Sequence, residues 1–189
     1  MRPRFASAII LFAALVLLLW KGKTSAAEAQ TATATANADA KLLTEKNPAK
    51  LAQLMRGIML PNSNIIFFAE GKNPADVPPA KNISGAVNPL EGTYGKWEAV
   101  ENGSLAIAEA ATLLSVPGRL CSNGRPVPTN NPDWPKLVES VRVAGIKAYI
   151  AAQTKNQDKI GDAGEVLTAA CSNCHVKYRD TPTPNDRCK

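Results

Sequence analysis

Apolar positions along this chain recur at helical spacing, and strand-like alternation is rare. In "AKLAQLMRGIML" the residues Leu51, Leu54, Met55, Ile58 and Met59 share one helical face. Pro61 interrupts, and "NSNIIFFAEG" resumes a helical piece up to Gly71, which predicts one kinked helix or two in series. Asn47-Pro48 supplies a start signal upstream, and Asn62, Ser63 and Asn64 are placed to cap the resumed piece. A Pro- and Gly-rich loop spans 72–92. Trp97, Val100, Leu105, Ala108, Leu113 and Leu114 then mark a second helix that stops at Pro117-Gly118. After the loop "RLCSNGRPVPTNNP", Asp133 is a candidate cap for a third helix with Leu137, Val141, Ala144, Ile146, Ala148 and Ile150 inward. The last helix is expected from about 155 to 179, with Ile160, Val166, Leu167 and Ala170 on its apolar side.

Four helical segments joined by loops predict an all-α fold, an antiparallel four-helix bundle over 47–180 followed by a tail at 181–189. Composition agrees. Aromatics make up 5% of 189 residues, and β-branched runs are few. Trp97, Trp134 and Tyr149 are read as core or capping aromatics.

Residues 1–29 have a different character. Arg2 and Arg4 precede an apolar run from Ala8 to Trp20, and Ala27-Glu28-Ala29 fits a small-residue cleavage site, which together predict an export signal. An uncleaved anchor is the alternative, since Lys21 and Lys23 follow the run, although its 13 residues fall short of the ~20 that span a bilayer. Only in that case would the protein be held on a membrane. Residues 30–46, rich in Ala and Thr, read as a flexible linker. The expected location is the periplasm.

Export changes the charge. The formal net charge is +6, and removing Arg2, Arg4, Lys21, Lys23 and Glu28 leaves +3. No interleaved basic and aromatic patch of a nucleic-acid binder is present, nor any glycine pattern of a phosphate loop or dinucleotide fold. No acid–base or nucleophilic constellation marks an enzyme.

The candidate chemistry lies in "CSNCHVKYRD". Cys171 and Cys174 flank two residues, and the chain's one histidine, His175, follows directly. Cys-x-x-Cys-His is the covalent haem attachment signature. Each thiol can add across one porphyrin vinyl group, and the short gap puts both sulfurs on one tight turn. His175 can then offer a ring nitrogen to the iron. Rival readings are a thioredoxin-like dithiol, which wants a preceding strand, and a zinc site, which would need Cys121 and Cys188 as further ligands. A disulfide within the pair is a third.

"CSNCHVKYR" resembles the Cys-x-x-Cys-His-x-x-Tyr-Arg signature of class II cytochromes c, the cytochrome c-prime family. The resemblance implies a four-helix bundle with haem c on its last helix, held by Cys171 and Cys174, with His175 as proximal ligand and Arg179 beside the haem. It implies Met55 of the first helix at the distal face, with Met59 or an open position as alternatives. A homodimer is common in that family. Pro61, the long loop and the tail with Cys188 depart from its pattern.

Met/His ligation favours electron transfer, so the expectation is an electron carrier between periplasmic redox proteins. A five-coordinate haem binding nitric oxide or carbon monoxide is the alternative, and a redox subunit of a periplasmic dehydrogenase is another. Cys121 and Cys188, left over in an oxidising compartment, are expected to pair.

Overall fold

The computed structural model describes residues 30–189 except 32, 36, 43 and 44. The expected export signal lies outside the described residues. The chain divides into two units, residues 1–48 and 49–189. In the first, the described residues between 30 and 42 are helical, in the segment where composition predicted an irregular tether. Its many alanines carry the highest helix propensity of any residue.

The second unit is all-α. No strand occurs among the described residues, only an isolated bridge between Leu120 and Pro126. The first long helix, α1, joins three pieces, Leu51–Leu54, Met55–Met59 and Leu60–Gly71. The middle piece is π-helical, and the amide of Leu60 donates to the carbonyl of Met55. Pro61 explains this. It has no N–H, and its ring would meet the carbonyl one turn back, so a widened turn before it lets the helix continue without a break. Asn62 Nδ2 donates to the Ile58 carbonyl at 2.7 Å, inside the same turn. Pro61 therefore widens the helix rather than dividing it. The helix also begins later than Asn47-Pro48, with Lys50 at its N-cap.

Helix α2 runs Lys96–Ala111 and continues through a 3₁₀ turn, Thr112–Ser115. Helix α3 is Trp134–Gln153 and α4 is Gln157–Tyr178. Asn156 caps α4, its side chain accepting from the amide of Lys159. Residues 72–95 carry three short 3₁₀ turns, and Leu90 and Val77 tuck from that loop into the core.

Successive helices pack on one another, and α1 also packs on α4. The core is rich in alanine, with Ile66, Ile107, Ile160, Leu167 and Trp134 as its large buried members. Ile107 was not among the expected apolar positions. Ile150 and Val166, expected inside, are 57% and 39% exposed. Alanines at 144, 148, 151, 152, 163 and 170 take the inner faces of α3 and α4 instead. No helix among the described residues is long and apolar enough to cross a membrane.

Small residues set the helix spacing. A Cβ on Gly145 of α3 would sit 2.8 Å from the Ala108 amide nitrogen and 2.9 Å from the Ser104 carbonyl of α2. A Cβ on Gly164 of α4 would run into the Glu70 carboxyl at the end of α1. Burial, then Glu165, pushes that carboxyl's pKa up. Gly161 has open space beside it. We predict that Gly145→Val lowers stability by about 1–3 kcal/mol through overpacking. Gly161→Ala should instead raise it by up to about 1 kcal/mol through helix propensity. Denaturant midpoints check both, and equal midpoints for the two variants would contradict the close α2–α3 contact.

Candidate functional site

The tight packing relaxes where α1 and α3 begin and α2 and α4 finish. A cavity of about 520 Å³ opens there. Leu51, Phe67, Leu114, Leu137, Val138 and Val141 give it largely apolar walls. Cys171, Cys174, His175 and Arg179 line it from α4, and Met55 and Met59 from α1. The residues expected on the last helix and the thioethers expected on the first thus meet around one space. Both lie in the widened turn; Met59 is 7% exposed and packs in the core, whereas Met55 is less enclosed.

Cys171 and Cys174 are free thiols, half-buried one helical turn apart. Burial pushes the Cys171 thiol up and the Cys174 thiol to about 11, with Cys171 and Asp133 adding to the latter. Both stay protonated at neutral pH, which slows their oxidation to a disulfide. His175 is half-buried and its pKa is lowered, first by burial and then by Arg179, so its imidazole stays neutral with a free lone pair. Its carbonyl accepts from the amides of Arg179 and Asp180, both at 2.8 Å, which closes the helix end.

That helix end is tied to α3. Lys177 Nζ donates to Asp133 Oδ2 at 2.6 Å and the Tyr178 hydroxyl donates to Asp133 Oδ1 at 2.8 Å. Asn131 Nδ2 donates in turn to the Tyr178 oxygen at 3.2 Å. Asp133 does occupy the N-cap of α3, yet its side chain makes no cap bond and reaches α4 instead. Tyr178 is 4% exposed and meets the Trp134 ring edge to face, centroids 5.0 Å apart. Trp134 lines the cavity beside it. Arg179 is exposed and paired with Asp180 at 2.6 Å.

Cys121 and Cys188 form a disulfide, 67 positions apart, and both line the cavity. The pairing expected between them holds. Closing so long a loop contributes ~4 kcal/mol on chain-entropy grounds. It also removes both thiolates from the zinc reading, and no three His, Cys, Asp or Glu come together among the described residues. The thioredoxin reading lacks its preceding strand among those residues, and a disulfide within the 171–174 pair is not formed.

Residues that fasten the segments around the site escaped sequence reasoning. Arg119 is 5% exposed and donates to the carbonyls of Ala49 and Leu113. The Asn123 side chain donates to the carbonyls of Pro184, Asn185 and Arg187. Asn123-Gly124 could be read as a turn, but nothing local announces either long-range role. Comparison with family models, with curated proteins and with solved structures produced no match.

The thiol chemistry is testable on the cofactor-free chain. A thiol with a pKa of about 11 is roughly 0.1% thiolate at pH 8, so Cys174 should alkylate slowly with iodoacetamide. Its rate should rise about tenfold per pH unit up to about pH 10. Fast, pH-independent labelling would contradict the burial that sets this pKa.

Proposed function

We propose that this chain is a monohaem c-type cytochrome, built as an antiparallel four-helix bundle of class II cytochrome c type and acting as an exported electron carrier. The observation that carries the reading is the shared cavity, where a free thiol pair and a neutral imidazole on one helix face a thioether on another. The residues suit a haem. The volume lies within the ~300–1,000 Å³ of cofactor sites, the walls are apolar, and the polar groups are few.

Cys171 and Cys174 would hold the group by adding each S–H across a vinyl double bond, sulfur to carbon and hydrogen to the neighbouring carbon. His175 would hold the iron on the α4 side and Met55 on the α1 side. Bound haem supplies a one-electron Fe(III)/Fe(II) couple, with a potential raised by Met/His ligation. The chain's own part is to keep that couple dry and rigid. Leu51, Phe67, Leu137, Val138 and Val141 exclude water, and the ties from Asp133 to Lys177 and Tyr178 hold the end of α4 in place. A rigid apolar shell leaves little to reorganise when charge changes, which suits transfer to and from periplasmic redox proteins. Arg179 contributes positive charge at the cavity, balanced in part by Asp180.

Absorption spectra of the oxidised and reduced protein, with and without carbon monoxide, test the sixth position. The account predicts a low-spin spectrum that changes little with the gas. Met55→Ala should convert it to a high-spin form that binds carbon monoxide promptly, while Met59→Ala should leave the spectrum low-spin. A wild-type protein already high-spin and gas-binding would instead establish the five-coordinate alternative.

A further inference from the structure

The disulfide joins more than a loop and a tail. Cys121 stands in a segment fastened to the start of α1. The Leu51 amide donates to the Leu120 carbonyl at 2.8 Å, and Arg119 donates to the carbonyl of Ala49. Cys188 stands in a segment fastened to the end of α4. Its amide donates to the Tyr178 carbonyl at 3.1 Å, and Arg187 Nε donates to the Arg179 carbonyl at 3.1 Å. Asn123 binds the two segments together through three carbonyls of residues 184–187. Cys121, Ser122, Arg187 and Cys188 all line the cavity.

A path of hydrogen bonds closed by one covalent bond therefore runs from the beginning of α1, four residues before Met55, across the cavity wall to the end of α4, three residues after His175. We propose that the Cys121–Cys188 bond is a clasp between the two helices bearing His175 and Met55, the residues that would hold the iron. It determines which ligands reach the iron by holding Met55 over the site and by closing the wall against exogenous ones. This deepens the haem reading and rests on it. The disulfide fits a permanent clasp better than a switch. Cys121 is 2% and Cys188 9% exposed, and an enclosed bond of this kind resists thiol attack. The clasp bears on the widened turn at Met55–Met59, where α1 departs from regular α-helical hydrogen bonding and Met55 is carried on irregular backbone.

The test uses the purified haem-loaded protein and its Cys121→Ser/Cys188→Ser variant. Far-ultraviolet circular dichroism and covalent haem content are matched first. The rates at which the ferric form takes up imidazole and the ferrous form takes up carbon monoxide are then compared. The clasp predicts both at least tenfold faster in the variant, whether the sixth position starts filled by Met55 or open. In a Met55→Ala background, which removes the competing thioether, the same double substitution should still accelerate carbon monoxide binding. Equal rates in proteins of matched haem content would overturn the clasp and leave the haem reading standing, whereas a wild-type protein without covalent haem would overturn both. If the double variant does not fold, Asn123→Ala decides. It keeps the disulfide and loosens the strap, and a two- to threefold acceleration supports the clasp, while an unchanged rate overturns it.

Discussion

The spacing of the helices depends on backbone-to-backbone contact between residues without bulk. Gly145 lets α3 lie against Ser104 and Ala108 of α2, and Gly164 leaves room for the Glu70 side chain between α4 and α1. Alanines fill most of what remains on the inner faces. Interiors are packed at near-crystalline density, so such seams fix the helix positions closely. Beside these contacts the same helices carry Phe67, Leu114, Trp134, Leu137 and Val141, and the space between them is a cavity.

The chemistry follows from what projects into that opening. On α4, residues 171, 174, 175 and 178 fall at helical intervals that bring two thiols, an imidazole and a phenol to neighbouring positions. The phenol belongs to the scaffold, locked between Trp134 and Asp133. Asp133 has its carboxyl pKa lowered, first by the hydrogen bond from Lys177 and then by that from Tyr178. It accordingly stays ionised and keeps the helix end anchored at any pH near neutrality. The thiols and the imidazole stay uncharged because they are buried. The proposed site thus combines neutral ligand atoms with an outer layer of fixed charge.

Much of this was legible in the residues. Helical spacing located four long segments, and the Cys-x-x-Cys-His run, Met55 and the leftover cysteines marked residues that line one cavity. What escaped were consequences of tertiary context. Pro61 signalled disruption, but only the fold shows that a widened turn at 55–59 absorbs it. Asp133 carried the local mark of a cap, and its partners on α4 lie 44 and 45 residues away. Val166 and Ile150 are apolar yet exposed, because alanines let the helices approach closely enough to leave larger side chains outside. The helical turns between 30 and 42 were hidden by a composition that suits a tether equally well. Arg119 and Asn123 act through backbone carbonyls, which leave no trace in side-chain pattern.

The central claim is covalent, and a mass measurement reaches it directly. The mature protein would be purified from a host that exports and assembles c-type cytochromes, digested, and its peptide containing Cys171, Cys174 and His175 weighed after alkylation. The account predicts that this peptide carries the added mass of one haem and that neither cysteine takes the alkylating agent. An unmodified peptide with two alkylated cysteines, or with a disulfide between them, would contradict it.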